Sequence, residues 1–469
     1  MKTIKFFISL FSIVLILSCT KQKNTSNYSP VPTEDNYAYP TDSTTINKWV
    51  SANNFKAMYK HSWNIWSHLT TPVEGGKLRY QTWSSPAQIL AKLNNSNGND
   101  EQELLFKKPS QFGHAKAKQT NFDDTDIVEV VAYNKPAEAY AIKNKIFYLS
   151  SLKKFQNGPY SSIPEFPSKT ITIKPVYKII TQNKLNPDGI YTMSAWNGPE
   201  YQSEGFPEKD WSSCIHVDTS ESNDTNPNGN LDYDCNTRTT ENTYFLNDFI
   251  HFSISEAQAT SYNEEIISGL KNQLKNKEIT KVEYDNLLKI SLSKKGDKAL
   301  LVGMHVGTKE IKRWVWQTFW WSPTPLTPSV PSSNDIASSK HGVPLVGAAN
   351  HYAMGVAYSM LIPAQPYKGG KSEGELVIAF NPYLEAGFGE DTFTGSTSYV
   401  YNRGTKIKTD LGVTTNCMSC HMAATVNTAN NTSANYYGDS YLGYDNPIFK
   451  DKLMLDFAWS VQGNIDTSK

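Results

Sequence analysis

Near the C-terminal end stands Asn416-Cys417-Met418-Ser419-Cys420-His421. Two thiols at this spacing can add across the two vinyl groups of one porphyrin, and the histidine that follows is then placed beneath the iron. The pattern is that of a covalently attached c-type haem, with Cys417 and Cys420 as thioether links and His421 as proximal ligand. With 5 Cys and 9 His in 469 residues, such a pattern arises by chance in about one chain in a thousand. A Zn site would need a second close ligand pair, which Cys214 and Cys235 do not supply. A thioredoxin-like redox pair would prefer a βα context, and none is evident.

The motif occurs once, about fifty residues from the C-terminus. The chain is therefore no multihaem wire, and the haem is expected inside a large fold rather than in a small cytochrome with an extension. The sixth ligand decides the chemistry: a filled position suits an electron carrier, an open one can bind a small molecule. His305, in Leu301–His305 (LVGMH), is the first candidate; the alternative is a hydrogen-bonded core histidine. Met454 downstream of the motif and Met354, with His351 nearby, follow, and His341 is weaker. An unfilled position stays open as well. Met418 and Met422 are too near the attachment segment to reach the far side of the iron. Arg313 beside Trp314 and Trp316 could bind a haem propionate through two N–H groups, or the segment is an ordinary strand with one buried face.

Several segments resemble a family of bacterial "cytochrome family" proteins of unassigned activity. They are Trp63–Pro72 (WNIWSHLTTP), Tyr80–Trp83 (YQTW), Leu301–His305 (LVGMH), Trp314–Phe319 (WVWQTF), Asn416–Met422 (NCMSCHM) and Asp456–Ser460 (DFAWS). They follow the family's order and span nearly the whole chain. The resemblance implies one continuous fold, a haem, and a histidine at the position of His305. The family pattern has an acidic residue and a histidine after its WVWxTF segment, where this chain has Trp320 and Trp321. No substrate is implied.

Cys214 and Cys235 remain, and in an oxidising compartment an even pair is expected to join. The bridge would close about twenty residues and contribute about 3 kcal/mol. Inside that loop Asp224, Asn226, Asn228 and Asp232 place side-chain oxygens at alternate positions around Gly229, as in a Ca²⁺ loop. The last ligand position holds Cys235 instead of a bidentate Glu, so ordinary turns compete with calcium here.

The N-terminus reads as an address. Lys2 and Lys5 precede an apolar run, Phe6 to Leu17, too short to span a bilayer and suited to a signal peptide. Ile16-Leu17-Ser18-Cys19 resembles the lipobox of bacterial lipoproteins, making Cys19 the expected lipidated terminus. Residues 1–18 are thus expected to be a signal peptide, 19–45 a lipidated flexible tether, and 46–469 one large haem domain. The expected location is outside the cytoplasm on a membrane, the outer one first. Lys+Arg and Asp+Glu each number 45, which offers no basic field for nucleic acid.

The elements that must hold the motif read as α+β, with a helical N-terminal part and a β-rich middle. Helix is expected over 46–70 and 135–154, the latter with Pro136 in its first turn. Strands are expected at Lys77–Trp83, at 170–180 with an edge or bulge near Pro175, and at 351–362 and 375–380. Residues 298–307 and 312–320 read as a hairpin, and 93–124 as a loop. Three functions follow: electron transfer with a redox partner protein or a small donor or acceptor, which stands first; a haem enzyme or sensor with an open iron; and a binding protein with a structural haem. For the second, His351, His341 and Tyr352 are the available distal polar groups.

Overall fold

The computed structural model describes residues 39–94, 104–107, 127–198, 205–220, 237–364, 374–388, 399–402, 405–408, 416–433 and 441–469. The expected signal peptide, Cys19 and most of the tether lie outside them. The tether's last residues are already docked. The Tyr39 hydroxyl donates to the Thr170 carbonyl at 2.9 Å, and the Thr41 N–H donates to Glu310 at 2.8 Å. Helix α1 (Ser43–Ser51) follows directly, N-capped by Asp42. The folded body therefore reaches back to Tyr39 rather than starting at residue 46.

The fold is α+β, built on a seven-stranded antiparallel sheet. Its strands are β1 (Ile127–Glu129), β2 (Ala132–Tyr133), β3 (Ile171–Ile180), β4 (His251–Ser253), β5 (Lys298–Thr308), β6 (Val315–Trp321) and β7 (Tyr352–Ala357). The order is β1-β3-β5-β6-β7, with β2 also on β3 and β4 on β5. β5 and β6 form the expected hairpin. β3 is an interior strand. Its Pro175, which has no N–H to donate, falls where pairing passes from β2 to β1, and the register with β5 shifts at Val176/Tyr177.

Alternation along the strands separates two faces. In an antiparallel pair, opposed residues share a face. Phe319 opposes Met304 and Met354, and Trp321 opposes Tyr352. This face packs on helix α2 (Phe55–Leu69), where Met58, Ser62, Trp63, Ile65, Trp66 and Leu69 recur at helical spacing on the buried side. Trp66 stacks on Phe319 with centroids 4.3 Å apart, and its indole N–H donates to the Ala349 carbonyl at 3.0 Å. The Trp63 N–H donates to Ile336 O at 2.8 Å. Truncating either buried, hydrogen-bonded Trp to Ala is a change of the 3–5 kcal/mol class.

Some elements differ from their sequence reading. Lys77–Trp83 is not a strand: a bridge from Pro72 to Leu78 leads into a single 3₁₀ turn, Arg79–Thr82. The turn lets Arg79 donate to the His68 carbonyl at 3.2 Å and sends Tyr80 into the core. The helix at 135–154 is two, Lys135–Asn144 and Leu149–Phe155, broken at Lys145 in the left-handed region. The break frees buried Ile146 and Phe147 to enter the core. The middle of the chain also carries a long antiparallel helix pair, α3 (Glu256–Lys275) and α4 (Lys281–Ser291), each opened by a capping box. Among the described residues no helix is long and apolar enough to cross a membrane.

Buried His68 on α2 is held down to about 3, first by burial and then by the Arg79 charge. A depressed histidine favours the folded state only while the unfolded chain is also neutral there. Its contribution is whole above about pH 6.5 and falls by about 1.4 kcal/mol per unit below it, until the folded group itself titrates. Urea unfolding at pH 7 and pH 5 should show a loss of about 2 kcal/mol from this site. That loss should be missing in His68→Gln; an equal loss in the variant would rule the site out as its source.

Candidate functional site

The opposite face of the sheet is stripped of bulk at its centre. Gly303, His305 and Gly307 of β5 lie opposite Trp320, Thr318 and Trp316 of β6, which in turn oppose Ala353, Gly355 and Ala357 of β7. On the other side, Lys174 of β3 opposes His305. A Cβ at Gly303 would stand 2.7 Å from Asn381, and one at Gly307 2.8 Å from the Trp316 ring. These glycines let side chains approach the sheet closely on either side of His305.

Two short helices cover this face: α5 (Pro382–Glu385) and α6 (Cys417–Met422). α6 is the Cys-x-x-Cys-His segment, with its cysteines three apart on one side of a single turn. Asn416 anchors it. Its side-chain oxygen caps Ser419 N–H at 3.0 Å, and its amide donates to Val377 O at 2.8 Å and Met360 O at 3.2 Å. Cys417 and Cys420 are free thiols, not joined to each other. Burial, and then the charge of Glu385, raises the pKa of both well above the ordinary thiol range. They stay protonated, which disfavours a thiolate metal site.

His421 lies against Trp316, ring centroids 4.0 Å apart. Its Nδ1 is 2.7 Å from the Phe457 carbonyl. That bond makes Nδ1 the protonated nitrogen and leaves Nε2 with its lone pair for a metal. Burial pushes His421 down to about 4, so it is neutral at ordinary pH.

The carbonyl that fixes His421 sits in a strained turn. Asp456 and Phe457 have φ of 46° and 69°, left-handed values that cost a non-glycine residue about 1 kcal/mol or more each. Asp456 holds the turn: its carboxylate accepts from Phe166 N–H at 2.8 Å and from Lys309 Nζ at 2.7 Å. Just beyond, the Trp459 N–H donates to the Cys420 carbonyl at 3.1 Å. A small sheet ties the two segments: Thr425, just after α6, pairs with Met454, just before Asp456. The Asp456–Ser460 segment thus clamps the Cys-x-x-Cys-His turn from behind, a role its sequence did not disclose.

His305 projects from the same face on which α6 packs. Its Nε2 is buried, has no hydrogen-bond partner and lies 3.6 Å from Glu385 Oε1. Burial, then the charges of Lys174 and His421, hold it well below 6.5. Glu385 is pushed up to about 7, chiefly by burial, with Asn381 N–H and Lys174 opposing. The cysteines, His421, His305, Glu385 and Lys174 therefore sense one another in one poorly solvated region. Glu385 and Lys174 were missed in the sequence. Only the opposition of Lys174 to His305 in the sheet, and the placement of α5, reveal them.

The residues present fit a haem: two thiols and an oriented imidazole on one turn, and a second, unpartnered imidazole on the face beneath. Among the described residues no group of three His, Cys, Asp or Glu side chains is placed to hold a metal ion unaided.

The other candidate ligands lie elsewhere. Met354 opposes Phe319 and so sits on the α2 face; odd and even positions of one strand cannot both reach α6. Tyr352 is on that far face too, its hydroxyl donating to Leu301 O at 2.7 Å. His351 pairs with Asp248 at 3.5 Å, and His341 is exposed. Met454 lines a cavity of about 250 Å³ with Met422, Asp456 and Phe457, which neither His421 nor His305 lines. Arg313 and Trp314 are not strand residues but close the hairpin turn, Trp314 with φ 62°. The Arg313 guanidinium donates to Leu442 O at 2.8 Å and to Tyr441, and lies over the Tyr441 and Tyr444 rings. Cys214, on the strand Cys214–Asp218, is disulfide-bonded. Its expected partner Cys235 and the calcium candidates Asp224, Asn226, Asn228 and Asp232 lie outside the described residues. The chain matches no family model, no curated protein and no solved structure.

Proposed function

We propose that the chain is an exported, lipid-anchored c-type cytochrome with one haem, attached through Cys417 and Cys420 and ligated by His421 and His305, and that it transfers electrons. The observation that carries the reading is His421 Nδ1 held by the Phe457 carbonyl at 2.7 Å on the same helical turn as both free thiols. Bound haem supplies one-electron chemistry at its iron. The chain's own part is to hold that iron still. Asn416 and Trp459 fix α6, Phe457 fixes the His421 tautomer, and Trp316 keeps water from the imidazole. His305, whose buried Nε2 has no hydrogen-bond partner, would be the second residue to hold the iron. The lipid on Cys19 would keep the protein at a membrane beside its redox partner, a protein or a small donor or acceptor.

A second reading has one specific support. If His305 stays off the iron, its 3.6 Å approach to Glu385 makes a distal acid–base pair, as a haem enzyme or sensor with an open position requires. The family likeness in the sequence belongs with either reading. The test is an absorption spectrum of the purified protein, oxidised and reduced, with and without CO. Electron transfer expects a low-spin spectrum blind to CO; a high-spin, CO-binding spectrum transfers the case to the second reading. Cys417→Ser/Cys420→Ser should lose covalent haem in denaturing gels stained for haem. Covalent haem retained by that variant would end both readings.

A further inference from the structure

On the α2 side of the sheet, away from His305 and His421, a cleft of about 1040 Å³ opens beside β4 and the start of α3. Its size is that of a site for a small organic molecule. Its floor is aromatic. Phe106, Tyr177 and Phe252 pack on one another with centroids 5.3–6.4 Å apart; Phe106 and Tyr177 are buried, Phe252 is half-buried and meets the cleft, and buried Trp83 also lines it. Val346, 64% exposed, adds an apolar patch at the wall.

The charge of the lining is one-sided. Among the described residues, Lys77, Lys92, Lys135 and Lys295 line the cleft, and no Asp or Glu does. This stands out in a chain with equal numbers of acidic and basic residues. Lys92 and Lys135 share one carboxylate, Glu138, at 2.6 and 3.3 Å. Lys77 and Lys295 are exposed and have no carboxylate partner among the described residues. Elsewhere the buried lysines of the sheet are matched: Lys174 with Glu129, Lys178 with Glu208, Lys309 with Asp456. An aromatic floor beneath unmatched ammonium groups is complementary to a molecule with a flat apolar body and an anionic end.

We propose that this cleft is a binding site for a small aromatic carboxylate, its rings on Phe252 at the edge of the Phe106–Tyr177 cluster and its carboxylate held by Lys77 and Lys295. The inference does not depend on the haem. It adds to the electron-transfer reading a place where an organic anion can dock on the same chain.

Isothermal titration calorimetry of the full exported chain with 2-naphthoate tests it, with 2-naphthylmethanol as the neutral counterpart. The expected Kd for the acid is on the order of 0.1 mM, set by its few heavy atoms. Lys77→Ala/Lys295→Ala, both at exposed positions, should weaken the acid about tenfold and leave the alcohol within about twofold, as loss of a charged hydrogen bond implies. Three results would overturn the proposal: no heat with 2-naphthoate at millimolar concentration, equal affinity for acid and alcohol, or an affinity for the acid that the double variant does not change.

Discussion

A His305→Ala variant is expected to keep its covalent haem and to change spin state: low-spin and blind to CO before, high-spin and CO-binding after. Its reduction potential should move on the order of 0.1 V, a fraction of the range that axial ligands span. The reasoning starts from a cost. A buried imidazole nitrogen without a hydrogen-bond partner is unfavourable by about 1–3 kcal/mol, and native proteins rarely leave one unused. His305 Nε2 is such an atom. Its nearest anion, Glu385, is 3.6 Å away, too far for a good hydrogen bond, and buried enough to sit near pH 7 in its titration. An iron would satisfy the nitrogen. The wild-type and His305→Ala spectra together separate the two readings. With His305 on the iron, the wild type is low-spin and His305→Ala is high-spin. With His305 off the iron, the wild type is already high-spin and His305→Ala changes little in the spectrum. That second pattern would sink the bis-histidine assignment while leaving covalent attachment intact.

What the sequence disclosed follows from the range of the interactions involved. That Cys417, Cys420 and His421 share one helical turn was legible because their spacing is local. The β5–β6 hairpin was legible from its β-branched and aromatic runs. In LVGMHVG, period-two alternation alone puts Gly303, His305 and Gly307 on one face, so the hollow around His305 could have been read from the residues. The same rule excludes Met354 only once β7 is registered against Phe319, which is non-local information. Glu385 was invisible because nothing near it in sequence sets its role; α5 meets β5 across about eighty residues. The turn at Arg79–Thr82 was misread because Leu78 and Tyr80 between polar neighbours alternate as in a strand, yet equally suit a turn with a buried Tyr80. The helix break at Lys145 was missed for a related reason: Ile146 and Phe147 are drawn into the core by tertiary packing that local propensity does not encode.

The clamp behind His421 is where a substitution should hurt stability and haem chemistry together. Asp456→Ala removes a carboxylate from a buried ion pair and leaves Lys309, itself 4% exposed, with the Lys312 carbonyl at 2.9 Å and one remaining carboxylate, half-exposed Glu165 at 3.3 Å. Breaking a buried pair from one side costs about 3–5 kcal/mol; the residual Glu165 contact argues for the lower end. The variant also loses the acceptor for Phe166 N–H, and with it the side-chain anchors that hold Asp456 and Phe457 in their left-handed conformations. When the turn relaxes, the Phe457 carbonyl withdraws from Nδ1, and His421 loses what fixes its tautomer and strengthens it as a ligand. The expected result is an unfolding free energy lower by about 3 kcal/mol and a shifted reduction potential with the haem still attached. A second change separates these effects. Adding Lys309→Met to Asp456→Ala removes the stranded charge and should recover much of the stability, since an apolar pair can replace a buried ion pair. It cannot restore the acceptor for Phe166 N–H or the turn, so the potential should stay shifted. If the potential returned along with the stability, Asp456 would act through the fold as a whole and not through the carbonyl it holds against His421.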